Sequence, residues 1–292
     1  MLGIISYFKN EAHILQEWLL HHMFEGFEYF ILINNGSSDN ISFLNNYADN
    51  ITLIDDENIG QEASYNKYIK FFPKNIEWVA ILDLDEFMYM RDIEKNLVDY
   101  LRKLDKTISQ INVRWIEFLP CCFFNDPLSK IESYRLGCIE GLRNDCGKSI
   151  FRLNKLKKCG IHISIVNGKT IYNNPNQNIL CINHYRFQSA EFTFGIKEQR
   201  GGGVHKKKYK DELKRIMFRD RTYFVDLCLY HRFFLHIETI KKMTQSPNTS
   251  IYKYSSWEQK LKFLENDELK TVSNRYSLDE NKKWAKKIFS LL

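Results

Sequence analysis

Short apolar runs alternate with stretches of helical periodicity over the first 115 residues of the chain. The runs are rich in β-branched residues and predict strands, whereas apolar residues that recur every three or four positions predict helices. The predicted strands are residues 2–8, 29–33, 51–54, 78–82 and 108–115, and the predicted helices are residues 11–24, 61–72 and 93–104. Strands and helices that alternate in this way indicate an α/β fold with a mostly parallel central sheet and helices on both faces.

Polar residues follow each of the first three predicted strands, at residues 9–11, 34–40 and 55–61. Ligands of such sheets bind beyond the carboxyl ends of the strands, so these residues are candidates for ligand binding. Helix capping by Ser38, Asp39 or Asn40 is an equal alternative, because short polar side chains also cap helices. The chain has neither the Gly-x-Gly-x-x-Gly pattern nor a P-loop, which argues against a Rossmann dehydrogenase and a P-loop enzyme.

Three carboxylates, Asp83, Asp85 and Glu86, follow the apolar run of residues 78–82. On an extended backbone Asp83 and Asp85 point to the same side and can reach one ligand. Two carboxylates so close repel each other, and a hard divalent cation such as Mg²⁺ or Mn²⁺ relieves the repulsion while it keeps positions open for phosphate oxygens. The alternative is a solvated acidic turn, which the position at the end of a buried strand makes less favourable.

The composition is that of a folded protein: 44% of the 292 residues are hydrophobic, and only 13 are Gly and 5 are Pro. It excludes an intrinsically disordered or collagen-like chain. No apolar run approaches the ~20 residues of a membrane-spanning helix, and the first eight residues lack the basic region of a signal peptide. The seven cysteines include no Cys-x-x-Cys pair, so we expect reduced thiols and a cytoplasmic protein.

Positive charge is concentrated in the last third of the chain. Residues 197–292 hold 22 Lys and Arg against 12 Asp and Glu. Such a region attracts nucleic acid, an anionic membrane or a phosphorylated small molecule. The helical patterns predicted there cover residues 206–219, 222–243, 256–265 and 278–291. The last pattern is basic and amphipathic, which suits packing on the protein's own domain or peripheral contact with an anionic membrane.

Several motifs occur in order along the chain: Lys9-Asn10-Glu11 with Glu17-Trp18 and His21-His22, Asn35-x-Ser37-x-Asp39, Asp83-Leu84-Asp85-Glu86-Phe87, Asn183-His184-Tyr185 with Ser189, and Lys197-x-x-Arg200-Gly201. Together they resemble the glycosyltransferases of the family 92 and family 2-like group. The resemblance covers residues 1–90 well and residues 146–205 moderately. Asn34 departs from the pattern, since an acidic residue is expected there.

The resemblance implies a GT-A fold for a catalytic domain over residues 1–205, with residues 206–292 as a basic helical extension packed on it. It implies a nucleotide-sugar donor, with a UDP-linked sugar as the first choice, and a Mn²⁺ or Mg²⁺ ion held by Asp83, Asp85 and His184. A hydrogen-bonded sheet histidine is the alternative for His184. The residues expected to bind the donor are Asn10, Glu11, Asn35, Asp39, Gln61, Asp83, Lys148, Arg200 and His205.

Basic side chains are expected to face the diphosphate, where negative charge grows as the sugar leaves. Lys148 and Arg152 alternate along a strand-like segment and suit this role, although a solvated strand face is an equal alternative. Arg200 and His205 flank three glycines, a pattern typical of a loop that closes over a ligand or, equally, of a flexible linker. The resemblance also implies that His162 lies near the acceptor.

Transfer with inversion, the stereochemistry that we expect, needs a carboxylate that takes the proton from the acceptor hydroxyl. The candidates are Glu117, Asp145 and Glu191, with Asp126 and Glu140 as further alternatives. The sequence thus predicts a metal-dependent hexosyltransferase that acts on a glycan, lipid-linked or glycoprotein acceptor, with no nucleic acid partner.

Two rival hypotheses remain. One is a noncatalytic protein that binds a nucleotide, a glycan or a partner on the same fold. The other is a sugar-phosphate nucleotidyltransferase, which is disfavoured because the first loop lacks a glycine-rich signature.

Overall fold

The structure is a computed structural model of the 292-residue chain. It describes residues 1–57, 59–92, 94–118, 126–127, 129–138, 147–173, 179–186, 188–189, 191–197, 223–226 and 228–232. The α-helices are α1 (Ala12–Phe24), α2 (Gln61–Tyr68), α3 (Leu97–Lys103) and α4 (Lys130–Ser133). The strands are β1 (Leu2–Phe8), β2 (Phe27–Asn34), β3 (Ile51–Asp55), β4 (Trp78–Ile81), β5 (Glu86–Met90), β6 (Ile108–Phe118), β7 (Leu136–Cys138), β8 (Gly147–Arg152), β9 (Leu156–Lys158), β10 (Ile165–Val166), β11 (Lys169–Asn173), β12 (Leu180–His184) and β13 (Tyr223–Val225).

Eleven of the described strands form one mixed sheet. Strands β3, β2, β1 and β4 lie side by side in parallel, and β8 runs antiparallel between β4 and β6. Strand β6 is also parallel to β11 and β12, while β12 is antiparallel to β5. The predicted α/β fold is confirmed. The sheet is mixed rather than mostly parallel, because β5, β7, β8 and β13 all enter it through antiparallel pairs.

Alternate side chains along the strands belong to two apolar cores, one on each face of the sheet. Ile4 of β1 lies in the same core as Ile14 and Trp18 of α1. The next residue, Ile5, lies in the other core with Tyr65 of α2. Both faces of the sheet are therefore covered by helices, as the sequence pattern predicts, and the central strands are apolar on both sides.

Two helices are shorter than predicted, for identifiable reasons. Helix α3 begins at Leu97 because the Asn96 side chain accepts hydrogen bonds from the amides of Val98 and Asp99, at 2.8 and 3.3 Å. This is a side-chain cap, which fixes where a helix starts. Helix α2 ends at Tyr68, and the chain continues as a short 3-10 helix ahead of Pro73.

A short segment from the predicted extension packs on the main sheet. Strand β13 pairs with β7, so the helix predicted over residues 222–243 is wrong at residues 223–225. Two ion pairs hold the segment: Arg91 to Asp226 at 2.7 Å and Arg232 to Glu25, where the second guanidinium nitrogen lies 3.0 Å from the carboxylate.

The other helices predicted after residue 205, including the amphipathic pattern at 278–291, lie outside the described residues. Within the described part of the chain no helix is long and apolar enough to span a bilayer.

Helix α1 is joined to β5 through three aromatic side chains. The Trp18 indole donates a hydrogen bond to the carbonyl of Glu86 at 2.9 Å, and His21 Nε2 lies 2.8 Å from the Met88 carbonyl. His22 lies between two backbone groups, since Nδ1 donates to the Trp18 carbonyl at 2.8 Å and Nε2 accepts from the Met88 amide at 3.2 Å. Helix α1 therefore fixes the start of β5, where Glu86 lies.

His22 makes the stability of the fold depend on pH. Burial lowers the pKa of His22 to about 3, below the usual value of about 6.5. Because the unfolded chain takes up this proton first, the free energy of unfolding falls as the pH drops below about 6.5. Between pH 7 and pH 5 this group accounts for a loss of about 2 kcal/mol.

We expect the substitution His22→Gln, whose amide does not titrate, to remove about this amount from the pH dependence measured by urea denaturation. The substitution His231→Gln at an exposed histidine is the matched control, and the pH dependence should fall more in His22→Gln than in this variant. Identical pH dependence in the wild type and His22→Gln would contradict the assignment.

Candidate functional site

The carboxylate motif lies in a tight turn between two strands. Strand β4 ends at Ile81 and β5 begins at Glu86, and the Glu86 amide donates to the Asp83 carbonyl at 3.1 Å. The backbone at Asp83 and Asp85 is therefore not extended, and the prediction that both side chains project from one face of a strand is wrong. The turn forms because the Glu86 side chain also accepts from the Asp83 amide at 2.9 Å.

Three ionisable residues form a row across neighbouring strands. Strand β12 lies between β5 and β6, and its last residue, His184, is paired with Glu86 on one side and Glu117 on the other. Residues paired in this way lie about 5 Å apart on one face of a sheet. His184 Nδ1 lies 2.9 Å from Glu117 Oε1, and an ionised carboxylate only accepts, so Nδ1 is the donor.

Asp85 lies beside this row and contacts two basic groups. Its carboxylate accepts from Lys197 Nζ at 2.6 Å and lies 3.6 Å from His184 Nε2. Burial disfavours the ionised form, but Lys197 and His184 outweigh this effect and hold the pKa of Asp85 well below its usual range. Burial also disfavours the His184 cation, yet Glu117 and Asp85 raise the pKa of His184 to about 10. The four groups form a network of alternating charge, in which only Lys197 is partly exposed.

Asp83 has different partners from Asp85. Its carboxylate accepts from Gln61 Nε2 at 2.7 Å and from Lys148 Nζ at 2.8 Å. Lys148 is fully buried on β8 and also lies 3.6 Å from Glu86. Burial lowers the tendency of Lys148 to carry a charge, but Asp83 and Glu86 more than compensate and raise the pKa of Lys148. The structure thus brings the predicted residues Gln61, Asp83 and Lys148 into one contact group.

Asp85, Glu86 and His184 have the chemistry and spacing of a cation site. One ligand atom from each of these residues lies within 4.8 Å of the others. Oxygen and imidazole nitrogen are suitable ligands for Mn²⁺. Burial raises the pKa of Glu86 to about 8, and Glu86 Oε1 is buried with no hydrogen-bond partner among the described residues. A buried carboxylate oxygen in this condition fits a bound cation, which would satisfy it. Asp83, a predicted ligand, is not part of this group of three.

The predicted donor-binding loops contact each other. Asn10, in a left-handed conformation with φ of 53°, accepts from the Ser38 amide at 2.7 Å. Asp39 accepts from the Ala12 amide at 2.7 Å, so it caps α1 and not the segment that follows it. The Asn35 amide donates to the Phe8 carbonyl at 2.8 Å, and Glu11 is buried directly before α1. These contacts join the carboxyl ends of β1 and β2.

Asn34, which departs from the expected pattern, donates to Asp55 at 2.8 Å. An amide at this position can donate, whereas the expected acidic residue would repel Asp55. Asn34 is buried at the carboxyl end of β2, and its own oxygen accepts from the Ser37 amide at 2.9 Å. The amide of Asn34, at a position where the pattern predicts an acidic residue, is therefore hydrogen-bonded to a carboxylate on the neighbouring strand β3.

The remaining predicted residues lie elsewhere. Arg152 is paired with Trp78 at the start of β4 and lies over the Trp78 ring at 4.4 Å, at the opposite end of the strand from Asp83. Asp126 is held by Lys130 at 2.7 Å and His13 at 3.3 Å. His162 Nδ1 lies 3.1 Å from the Gly147 carbonyl. Glu140, Asp145, Arg200 and His205 lie outside the described residues, as does the side chain of Glu191.

Two residues of this site were not among the predicted site residues. Glu86 directly continues the Asp-x-Asp motif, and its position at the start of a buried strand was a usable signal. Lys197 belongs to a motif of the resemblance, but it is 112 residues from Asp85 and no local pattern links the two. It lies in a π-helical segment, Glu191–Lys197, a geometry that is frequent at functional sites.

Comparison with known sequences gives one consistent family. The sequence profile of glycosyltransferase family 92 matches residues 4–289. A protein from Oryza sativa subsp. japonica named as a glycosyltransferase family 92 protein is 26% identical over 202 residues, which cover 64% of this chain and 33% of the rice protein. An Arabidopsis thaliana protein named in the same way is 29% identical over 99 residues, covering 30% of this chain and 16% of the other. The chain thus matches a third or less of the length of these plant relatives.

Two solved structures are similar to parts of this one. Staphylococcus aureus TarS, residues 1–349, is 13% identical with a TM-score of 0.41, and the match covers 88% of this chain and 76% of that one. Glucosyl-3-phosphoglycerate synthase from Mycobacterium tuberculosis, solved with Mn²⁺, uridine diphosphate and phosphoglyceric acid, is 11% identical with a TM-score of 0.32. That match covers 53% of this chain and 56% of the synthase.

The buried Lys148 is expected to contribute strongly to stability. We predict that Lys148→Met lowers the free energy of unfolding by about 3 kcal/mol, because it leaves Asp83 and Glu86 without their cation. This loss of free energy is at the low end of the range for a broken buried ion pair. The reason is that Asp83 is partly exposed to water and keeps its hydrogen bond with Gln61. The control is Lys67→Met at an exposed pair with Asp56, which should cost much less because water screens that pair. Equal losses in the two variants, measured by urea denaturation, would contradict the prediction.

Proposed function

The chain belongs to glycosyltransferase family 92, and on that premise we propose that it moves a hexose from a nucleotide-sugar donor to a hydroxyl group of a glycan or glycoconjugate acceptor. The mixed α/β sheet agrees with the GT-A fold that the sequence motifs imply. For the donor we propose a UDP-linked sugar, on the grounds of the resemblance in residues 9–11 and 35–39. We further propose that the transfer depends on Mn²⁺ or Mg²⁺.

The observation that carries the proposal is the cluster of Asp85, Glu86 and His184 at the carboxyl end of the sheet. In open α/β sheets this edge is where ligands bind. We propose that these three residues hold the divalent cation and that Asp83 supports it from the same turn. When bound, such a cation stabilises the negative charge that develops on a diphosphate leaving group.

Two lysines of the site supply positive charge next to the same edge. Lys148 contacts Asp83 at 2.8 Å and Lys197 contacts Asp85 at 2.6 Å. We propose that they attract the diphosphate of the donor and orient it, because ammonium groups act as point charges toward phosphate. Arg200 and His205 remain predicted contributors to this role.

The proton of the acceptor hydroxyl requires a base if the reaction inverts the anomeric carbon. Asp126 is poorly suited to act as this base. Burial tends to raise the pKa of Asp126, but Lys130 and His13 outweigh this effect and lower the pKa, which makes the carboxylate a weaker base. Glu117 is buried behind His184 and bonded to it. We therefore propose Asp145 or Glu191 as the base.

The proposal is tested by thermal melting with a panel of nucleoside diphosphates and nucleotide sugars, with and without Mn²⁺. We expect one diphosphate to stabilise the wild type in a Mn²⁺-dependent way, by about 2.7 kcal/mol at 100 times its dissociation constant. The variant Asp85→Asn should lose this stabilisation, because it removes a ligand charge. The control variant Asp99→Asn changes an exposed carboxylate paired with Arg102 and should keep it.

Sugar transfer to a panel of glycans, followed by mass spectrometry, then separates the rival functions. Transfer that requires Mn²⁺ supports the proposal. Release of pyrophosphate from a nucleoside triphosphate and a sugar phosphate would show a nucleotidyltransferase instead. Nucleotide binding without turnover on any acceptor would favour a noncatalytic protein.

A further inference from the structure

We propose that Glu117 is a positioning residue that holds His184 in the orientation and tautomer needed to bind the divalent cation, and that it is not the base that deprotonates the acceptor. The inference rests on the proposed function, because it concerns the cation of that same site. It assigns to Glu117 a role different from the one that its sequence position predicts.

Backbone pairing in the sheet places His184 beside Glu117. His184 is the last residue of β12 and is paired directly with Glu117 of β6. Its other neighbour in the sheet is Glu86 of β5. Because both neighbours are fixed by the sheet, the imidazole has a carboxylate on each side, and its position does not depend on a loop.

A hydrogen bond joins the side chains of the two residues. Glu117 Oε1 lies 2.9 Å from His184 Nδ1, and both residues are buried. Because Nδ1 donates to Glu117, a cation that displaces the other ring proton binds at Nε2. Nε2 lies 3.6 Å from Asp85 Oδ1, so it points toward the proposed cation ligands and away from Glu117.

The two nitrogens of the imidazole ring face different surroundings. Histidines that bind metals commonly donate their second ring nitrogen to a carboxylate, which fixes the ring and makes the ligand more basic. Glu117 occupies that position, and Trp115 packs on the same imidazole with ring centroids 4.6 Å apart. A base that must meet a substrate hydroxyl needs an accessible oxygen. Glu117 is 3% exposed, which suits support of His184 better than contact with substrate.

The test measures Mn²⁺ affinity from the paramagnetic resonance signal of free Mn²⁺, with no donor or acceptor present. We expect Glu117→Ala to weaken Mn²⁺ binding by about 10- to 100-fold. Glu117→Gln should weaken it less, because the amide oxygen still accepts from Nδ1. In a His184→Ala background, Glu117→Ala should add little, because the residue acts through His184. The control is Glu25→Gln, a buried glutamate paired with Arg232, which should leave Mn²⁺ affinity unchanged.

Several results would overturn the inference. One is wild-type affinity for Mn²⁺ in Glu117→Ala, and another is the same loss whether or not His184 is present. A third is Glu117→Gln with normal Mn²⁺ affinity and a large loss of sugar transfer, which would make Glu117 the base. If Glu117→Ala does not fold, Glu117→Gln with and without His184→Ala carries the same comparison.

The inference and the proposed function fail in different ways. Suppose that the wild type binds Mn²⁺ and the variants behave as expected, but no sugar is transferred to any acceptor. That result would support the positioning role of Glu117 and contradict the proposed function. If the wild type transfers sugar but does not bind Mn²⁺, the result would support sugar transfer without the cation and contradict the positioning role of Glu117.

Discussion

Neutralising buried carboxylates is the constraint on which the site depends. Asp85, Glu86 and Glu117 are all nearly inaccessible to water, and a buried charge is strongly unfavourable unless it is paired. The chain meets this constraint for Asp85 and Glu117 with Lys197 and the imidazole of His184. Glu86 lies near Lys148, and burial raises its pKa to about 8, so it keeps a proton at neutral pH. Each of these groups comes from a different part of the sequence, so the carboxylates and their partners can only be balanced once the sheet has formed.

The order of strands follows the same constraint. Strand β12 is paired on both sides, with β5 and β6, and this brings Glu86, Glu117 and His184 into one row although they are up to 98 positions apart in the chain. Helix α1 adds a second restraint through the Trp18 bond to the Glu86 carbonyl. Rigid elements therefore determine the geometry of these residues, which is what a site of fixed charges needs.

The sequence pattern predicted those elements whose formation depends on residues close together in the chain. Strand β1 matches its prediction from Leu2 to Phe8, because a strand buried on both faces is a continuous apolar run. The turn at Asp83 to Glu86 was not predicted, because its bonds come from a glutamate at the start of the next strand. The family resemblance implied one metal site of Asp83, Asp85 and His184, and the structure places His184 Nε2 3.6 Å from Asp85, although no periodicity links residues so far apart.

Pairings over long distances in the sequence account for most of the remaining differences. Lys148 and Arg152 lie four positions apart on β8, and the sequence pattern cannot tell which end of β4 each residue meets. The antiparallel register places Arg152 beside Trp78 and Lys148 near Asp83. Glu117 was a candidate base because it follows a predicted strand, but β6 continues to Phe118 and encloses it. In both cases the side chain was identified, and its role depended on which strand lies next to it.

The two lysines of the site differ in how they are held. Lys148 belongs to a central strand that is paired on both sides and is fully buried, so its charge is a permanent part of the sheet. Lys197 lies at the end of a π-helical segment outside the sheet, where its ammonium contacts Asp85 and the Arg186 carbonyl. An ammonium and a divalent cation at Asp85 repel each other. The contact of Lys197 with Asp85 can therefore change without disturbing the strands that build the site, whereas the contact of Lys148 with Asp83 is part of the sheet.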